Sequence, residues 1–230
     1  MTTFPASFAD DALVARVATN LAELRGRILA CGRALDDVRV VAVTKTFPPT
    51  VVRAAAAAGL MTFGENYVGE LEEKRAATSD LVLRWHFLGA LQTNKIAHVA
   101  RLADVLCAVS RERELARVAR ARPGAAIYVQ VDFTGGANRN GADAGEVANL
   151  VAAGRRLGLD VRGLMTVAPV EAGAALTAFE VTAALCDELD LVERSMGMSD
   201  DLELALGCGS SEIRVGRALF GSRDAVTGLA

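Results

Sequence analysis

The first apolar residues of the chain recur with the period of an α-helix. They follow one another at spacings of four, four, three and four, which places them on one helical face. These residues are Leu13, Val17, Leu21, Leu24 and Ile28. Ser7 and Asp10 resemble a capping box at the start, and Gly32 is a candidate C-cap. The pattern therefore predicts an amphipathic helix over residues 7–31.

Beyond this helix, short β-branched runs alternate with longer segments rich in Ala, Glu and Arg. The strand candidates are Val38–Val43, Met61–Phe63, Leu83–Phe87, Asp104–Ala108, Ala126–Val131, Asp160–Met165, Leu191–Ser195 and Glu212–Val215. Their starts are separated by about 20 to 30 residues, which is the length of a βα unit. Helical character is predicted between them, for example over Pro49–Ala58, Arg111–Ala121 and Asp143–Leu157.

Eight successive βα units favour one closed (β/α)8 barrel of the α/β class. An open, doubly wound sheet is the structural alternative. No early Gly-x-Gly-x-x-Gly follows the first strand, so nothing favours a dinucleotide fold. Because no Pro/Gly/Ser-rich linker interrupts the alternation, we predict a single domain over residues 1–230.

Composition and charge narrow the possible functions. The 230 residues are 52% hydrophobic and 23% charged, and the net charge is −3, which disfavours a nucleic-acid or anionic membrane surface. Cys31, Cys107, Cys186 and Cys208 form no CxxC pair, and the chain has only two histidines, so a zinc site is not expected. Unpaired cysteines, the absence of a signal pattern and no apolar stretch long enough for a bilayer together predict a cytoplasmic protein.

In a barrel of this kind, function collects at the carboxyl ends of the strands. Lys45 follows the first strand there, after a run of apolar residues. Apolar surroundings favour the neutral amine of a lysine, which can attack an aldehyde and form a Schiff base. The alternative is a lysine that only extends its ammonium out of the barrel mouth.

A candidate phosphate cradle follows the last two strands. Ser199 is a possible N-cap for a helix over Asp200–Leu206, and its hydroxyl can donate to a phosphate oxygen. Gly216 permits close approach of the backbone, and the amides of Gly216 and Arg217 open a short turn. Ordinary capping and a tight turn would explain the same residues. Together with Lys45, however, the cradle describes a phosphate ester that carries an aldehyde, which is the shape of pyridoxal phosphate.

Arg214 suits the middle of such a ligand. Its guanidinium only donates hydrogen bonds and stays protonated, so it would face a pyridine nitrogen and disfavour ring protonation. An unprotonated pyridine is a poorer electron sink, which restrains carbanion chemistry. A surface ion pair with Glu212 is the alternative.

Several long motifs resemble the pyridoxal phosphate homeostasis protein family, in the same order, from Val38 to Arg223. The segments are VAVTKTFPPTVVRAAAAAGLMTFGENYVGELEEK, WHFLGALQTNK, GLMTVAP and SMGMSDDLELALGCGSSEIRVGRALFGSR. The resemblance implies an alanine-racemase-like barrel, fold type III of the pyridoxal phosphate proteins. Lys45 would then be the Schiff-base lysine.

The resemblance also implies roles for other residues. Arg214 would face the pyridine nitrogen, Gly216 and Ser199 the phosphate, and Asn66 and Met165 the cofactor ring. His86, in WHF, is equally a candidate for the lining of the site and for a packed, hydrogen-bonded core histidine.

This chain departs from the family pattern at three places. Arg217 stands where the family usually has Thr, so a hydroxyl contact to phosphate would be replaced by a guanidinium. Ala90 stands where a histidine is usual, and the loop Thr134–Gly141 is less Ser-Gly-Glu-rich. We expect these changes to alter affinity or partner contacts, and not to prevent cofactor binding.

Three functions are compatible with these features. A carrier would hold pyridoxal phosphate and support its transfer to apoenzymes, whereas a type III racemase needs acids and bases on both faces of the substrate carbon. Such racemases resemble this chain but carry a second β-rich domain, for which no residues follow the last barrel unit, and Tyr67 and Tyr128 are the only tyrosines. A Schiff-base aldolase for sugar phosphates is the third possibility, although such enzymes tend to place the lysine on a later strand. We favour a monomeric carrier without robust catalysis.

Overall fold

Eight parallel strands close into one barrel in a computed structural model that describes residues 11–135 and 140–221. The strands are β1 (Arg39–Val43), β2 (Thr62–Glu65), β3 (Arg84–Phe87), β4 (Val105–Val109), β5 (Ala126–Val131), β6 (Asp160–Thr166), β7 (Glu193–Ser195) and β8 (Glu212–Val215). They follow one another in chain order around the barrel, and β8 pairs with β1. The predicted closed barrel is confirmed, and the open-sheet alternative is wrong.

Helices surround the barrel and alternate with the strands. They are α1 (Asp11–Ala30), α2 (Pro49–Ala57), α3 (Val68–Ala77), α4 (Ile96–Leu102), α5 (Glu112–Ala121), α6 (Val147–Arg156), α7 (Ala172–Glu188), α8 (Leu202–Gly207) and α9 (Arg217–Phe220). Two short 3-10 helices, Leu35–Asp37 and Ala144–Glu146, precede β1 and α6. The main hydrophobic core lies between the strands and these helices. Among the described residues, no helix combines the length and apolarity that a membrane crossing requires.

Helix α1 is the element that precedes the barrel. All five apolar positions predicted from its period are buried. The helix packs against α2 and α9, and Asn20 Nδ2 donates to the carbonyl oxygen of Leu219 at 2.8 Å. Gly32 ends it with a φ of 71°, a conformation that favours glycine. The proposed start at Ser7 and Asp10 lies outside the described residues.

All eight predicted strands form, two with the predicted bounds (β5 and β8) and the others with shifted ends. The second strand runs from Thr62 to Glu65, later than the predicted Met61–Phe63, and β7 is confined to Glu193–Ser195. The shift in β2 has a physical cause, because its pairing with β3 extends to Glu65 opposite Phe87. Strand ends are set by such partners, which the local pattern of apolar residues does not contain.

Candidate functional site

A cavity of about 770 Å³ opens at the carboxyl end of the barrel. The residues that line it are Val43, Lys45, Phe47, Asn66, Leu88, Met165, Val167, Met198, Ser199, Asp200, Arg214, Gly216, Arg217 and Gly221. Seven of the eight residues predicted for the site therefore lie around one cavity. His86 is the exception, since it is fully buried in the barrel and does not line the cavity.

Lys45 lies in a tight turn directly after β1. The carbonyl oxygen of Thr44 accepts a hydrogen bond from Phe47 N at 3.0 Å, which closes the turn around Lys45 and Thr46. Thr46 has a φ of 68°, a conformation that a β-branched residue rarely adopts. The turn places the half-buried Lys45 on the cavity wall.

Beneath this turn, the ammonium group of Lys74 is buried in a set of hydrogen bonds. Lys74 Nζ donates to the carbonyl oxygen of Thr44 at 2.7 Å, to Glu65 Oε1 at 2.6 Å and to Glu70 Oε2 at 2.8 Å. Burial raises the pKa of Glu65 although Lys74 and Thr44 oppose it. Burial also opposes ionisation of Glu70, but its bonds from Lys74 and Thr46 N outweigh this and lower its pKa. The charges of α3 thus anchor the end of β1.

Arg214 occupies the cavity wall from β8 and is almost completely buried. Its guanidinium donates to the carbonyl oxygen of Ser195 at 2.5 Å, to Ser195 Oγ at 2.8 Å and to the carbonyl oxygen of Thr166 at 2.6 Å. Burial lowers the pKa of Arg214, although Glu212 opposes this. An arginine remains charged even so, and these bonds hold its planar group in one orientation. The surface ion pair weighed for Arg214 does not form.

A polar network fills the barrel below Arg214. Ser195 Oγ donates to Glu212 Oε1 at 2.7 Å, and Glu212 Oε2 accepts from Tyr128 Oη and from Arg39, each at 3.1 Å. Burial raises the pKa of Glu212, but His86, Ser195 and Arg39 together outweigh it and lower the pKa to about 2. The hydroxyl of Ser195 therefore links Arg214 to the buried carboxylate of Glu212, because it accepts from the first and donates to the second.

His86 lies beside this network. Its Nδ1 is 3.5 Å from Glu212 Oε2, and its ring meets that of Tyr128 edge to face with the centroids 6.0 Å apart. Within the described part of the chain, neither ring nitrogen makes a hydrogen bond. The histidine is thus packed in the barrel core, without the hydrogen bond that the core alternative included.

The segment after β7 differs from the sequence prediction. Helix α8 begins at Leu202 with Asp201 as its N-cap residue, so Ser199 does not cap it. The reason is a turn in which Asp201 Oδ1 accepts from Met198 N at 2.6 Å. The hydroxyl of Ser199 instead accepts from Ala218 N at 3.3 Å. This contact joins the loop after β7 to the start of α9.

Arg217 forms an ion pair with Asp200 at the rim of the cavity. Both side chains are exposed, and both residues line the cavity. The turn predicted after Gly216 forms as the short helix α9. An exposed ion pair of this kind contributes little to stability, so the guanidinium can exchange its partner without great cost.

Asn66 lines the cavity from the loop after β2. A Cβ atom at Gly89 would overlap the carbonyl oxygen of Asn66, so the loop after β3 needs glycine there. The same loop is joined to β2 where Leu88 N donates to the carbonyl oxygen of Glu65 at 2.7 Å. Gly89 thus fixes the distance between the two loops that carry Asn66 and Leu88.

Sequence reasoning missed several residues that shape this site. Asp200 was not predicted because the phosphate contact was assigned to its neighbour Ser199, although both residues lie in the SMGMSDD motif. Glu212 and Arg214 lie two residues apart in β8 and therefore share one face of that strand, and Arg39 opens β1. This alternation of charged residues within strands was the available signal for a polar barrel interior.

The alanine racemase from Corynebacterium glutamicum shares this fold. The similarity has a TM-score of 0.71 at 18% identity and covers 94% of this chain and 64% of the racemase. Residues 15–224 match the family described as alanine racemase, N-terminal domain. The closed barrel and the family match thus define an alanine-racemase-like barrel.

Two curated relatives assign the chain to a particular family within this class. The pyridoxal phosphate homeostasis protein of Pseudomonas aeruginosa is 38% identical, in an alignment that covers 90% of this chain and 96% of the relative. That of Escherichia coli K12 is 34% identical, in an alignment that covers 90% of this chain and 97% of the relative. The chain belongs to the pyridoxal phosphate homeostasis protein family.

PipY of Synechococcus elongatus is a similar protein whose structure has been solved. Its structure without pyridoxal phosphate has a TM-score of 0.81 at 33% identity, and its structure with pyridoxal phosphate bound has 0.78 at 32%. Each covers 89% of this chain and 100% of the PipY chain.

Proposed function

We propose that this protein holds pyridoxal phosphate as a Schiff base on Lys45 and acts in intracellular pyridoxal phosphate homeostasis. In this role it would buffer the reactive aldehyde and support its transfer to apoenzymes. The observation that carries the proposal is the convergence of Lys45, Arg214 and Ser199 on one cavity. The chain's membership of the pyridoxal phosphate homeostasis protein family supports pyridoxal phosphate as the ligand. The PipY structure with pyridoxal phosphate bound supports it too.

The donor set of the cavity fits this ligand. Its volume of about 770 Å³ lies within the range of small-molecule sites. We assign the amine of Lys45 to the aldehyde, the guanidinium of Arg214 to the ring nitrogen, and Ser199, Gly216 and Arg217 to the phosphate. The contact between Ser199 Oγ and Ala218 N supports the phosphate assignment, because it brings the loops after β7 and β8 together.

Asn66 and Met165 are assigned to the faces of the ring. Both line the cavity, Asn66 from the loop after β2 and Met165 from β6. His86 is not assigned a contact with the cofactor. It lies in the core beside Glu212, and Ser195 links Glu212 to Arg214 by hydrogen bonds.

The surroundings of Arg214 favour binding over catalysis. The guanidinium of Arg214 would donate to the ring nitrogen and disfavour its protonation, which would weaken the electron-withdrawing chemistry that the cofactor supplies when bound. A racemase would also need a second proton-transfer group. Tyr128 is buried in the barrel network and Tyr67 is more than half exposed at the start of α3, so neither supports that role.

We extend the proposal to the state of the protein. Residues 1–230 would form a single barrel domain that acts as a monomer in the cytoplasm. The relatives support one domain, since the matched region covers 90% of this chain and 96% of the Pseudomonas protein. Light scattering of the loaded protein would test the monomer.

Absorption spectroscopy with and without borohydride tests the cofactor proposal. Wild type should develop a yellow Schiff-base band with pyridoxal phosphate, and borohydride should make the adduct permanent. Lys45→Ala should show neither effect, whereas Lys95→Ala, which removes an exposed lysine on another loop, should behave as wild type. Absence of the band in wild type at saturating cofactor would refute the proposal.

The loaded protein then separates the carrier from the enzyme. The carrier proposal predicts that it restores activity to an apoenzyme that depends on pyridoxal phosphate, and that it leaves a panel of amino acids unchanged. Rapid conversion of an L-amino acid to its D-form would instead support the racemase.

A further inference from the structure

The backbone next to Lys45 adopts a conformation that its sequence disfavours. Thr46 has a φ of 68° and is the third residue of the turn that begins at Thr44, a position where glycine is usual when φ is positive. Its side chain is exposed, so packing does not impose the conformation. Such a strained residue persists only where its surroundings hold it, and strain of this kind clusters at functional sites.

The group that holds Thr46 comes from helix α3. Glu70 Oε2 accepts a hydrogen bond from Thr46 N at 2.6 Å. The only other described bond of this residue is local, from Thr46 Oγ1 to the carbonyl oxygen of Lys45 at 2.5 Å. Since a charged acceptor makes a strong hydrogen bond to a backbone amide, Glu70 is the main support from outside the turn.

Lys74 holds both the carboxylate and the other end of the turn. Its Nζ donates to Glu70 Oε2 at 2.8 Å and to the carbonyl oxygen of Thr44 at 2.7 Å. Glu65 Oε1, which accepts from Lys74 at 2.6 Å, also accepts from Thr44 Oγ1 at 2.6 Å. The residues on both sides of Lys45 are thus tied to one buried ammonium group.

We propose that Glu70 and Lys74 are positioning residues that hold the turn so that the amine of Lys45 points into the cavity. The inference rests on the proposed function, because it concerns the lysine assigned to the aldehyde. In that reaction the amine nitrogen bonds to the aldehyde carbon, and a water molecule leaves as the C=N bond forms. A turn that relaxes moves the amine away from that carbon and lowers the equilibrium constant for Schiff-base formation.

The test compares variants of Glu70 with rescue at Thr46. Glu70→Ala removes the acceptor, and we expect the equilibrium constant for Schiff-base formation with pyridoxal phosphate to fall on the order of tenfold. Glu70→Gln keeps an oxygen that can accept from Thr46 N, so it should lose less. In the Glu70→Ala background, Thr46→Gly should restore most of the loss, because glycine adopts a positive φ without strain.

A matched control and a second readout separate positioning from folding. Glu73→Ala makes the same change on an exposed position of α3 and should leave the equilibrium constant unchanged. In the protein without cofactor, the amide proton of Thr46 should resonate far downfield in NMR spectra because it bonds to a carboxylate. Glu70→Ala should abolish that shift, and far-UV circular dichroism should show an intact fold.

The outcomes distinguish this inference from the proposed function. If wild type forms no Schiff base, the proposed function fails, while the Thr46 amide shift still reports whether Glu70 holds the turn. If wild type forms it and Glu70→Ala forms it equally well, the positioning role is refuted. A loss in Glu70→Ala that Thr46→Gly does not restore would also overturn the inference, because it would indicate general damage to α3.

Discussion

Replacement of Lys74 by methionine tests the buried charge cluster under Lys45. Lys74→Met preserves much of the side-chain volume and removes the ammonium group. Glu65, which is fully buried, then keeps only the hydroxyl of Thr44 as a donor among the described residues. Its other oxygen, Oε2, already has no hydrogen-bond partner in the described part of the chain. The variant therefore leaves a carboxylate buried without a counter-charge.

The expected loss of stability follows from this geometry. Removing one partner of a buried ion pair costs about 3–5 kcal/mol. For a chain of this size, each kcal/mol lowers Tm by roughly 2–4 °C, so Tm should fall by roughly 6–20 °C. Urea denaturation and calorimetry of the protein without cofactor measure both quantities. Lys95→Met, at an exposed position, should change them little.

The pH dependence of the stability loss shows whether the unpaired charge on Glu65 causes it. Burial already raises the pKa of Glu65, and loss of Lys74 should raise it further. A carboxyl group whose pKa is higher in the folded than in the unfolded state destabilises the fold increasingly as pH rises from the unfolded to the folded pKa, and the penalty disappears below the unfolded pKa, where the group is neutral in both states. Lys74→Met should therefore be less destabilising at pH 5 than at pH 8.

A second substitution completes the test. Glu65→Gln added to Lys74→Met removes the unpaired charge and should recover a large part of the lost stability at pH 8. The reasoning is refuted if Lys74→Met costs less than about 1 kcal/mol at pH 8, which is the level of an exposed ion pair. A loss that is the same at both pH values would also refute it.

Three further predictions concern the site and its support. Because the pKa of Glu212 is lowered from 4.5 to about 2, its ionised form stabilises the fold above pH 4.5, and this contribution is lost as pH falls toward 2. Acid unfolding of Glu212→Gln should be less steep in that range, and equal slopes would contradict this prediction. Gly89→Ala should weaken pyridoxal phosphate binding in an absorbance titration, because its Cβ displaces Asn66, whereas Gly69→Ala, with open space around it, should not; equal affinity of Gly89→Ala and wild type would show that the loop adapts. Arg217→Ala should weaken binding of pyridoxal phosphate but not of pyridoxal, and an equal loss for both ligands would contradict a phosphate contact.

The barrel could be predicted because its causes are local. Each short β-branched run is followed by a helix of suitable length, and parallel strands joined in this way place their carboxyl ends on one face. From that rule, Lys45, Asn66, Ser199 and Arg214 are predicted to lie near one another, and all four line one cavity. The assignment of each residue to a part of the cofactor came from chemistry and family resemblance, and it stays a prediction.

The parts that escaped prediction depend on distant partners. Lys74 lies in the charge-rich sequence of α3, and nothing local shows that it is buried beneath Thr44. The start of α8 depends on the turn that Asp201 makes with Met198, which competes with capping by Ser199. Contacts across the barrel decide both features, and a sequence read along one strand or helix does not contain them.

The most direct measurement is the location of the borohydride-trapped cofactor in the chain. Wild-type protein is loaded with pyridoxal phosphate, reduced, digested and analysed by mass spectrometry, beside Lys45→Ala and Lys95→Ala. The account predicts one phosphopyridoxyl group on the peptide that contains Lys45, present in wild type and Lys95→Ala and absent in Lys45→Ala. A label distributed over surface lysines, or retained on another lysine in Lys45→Ala, would contradict the central claim.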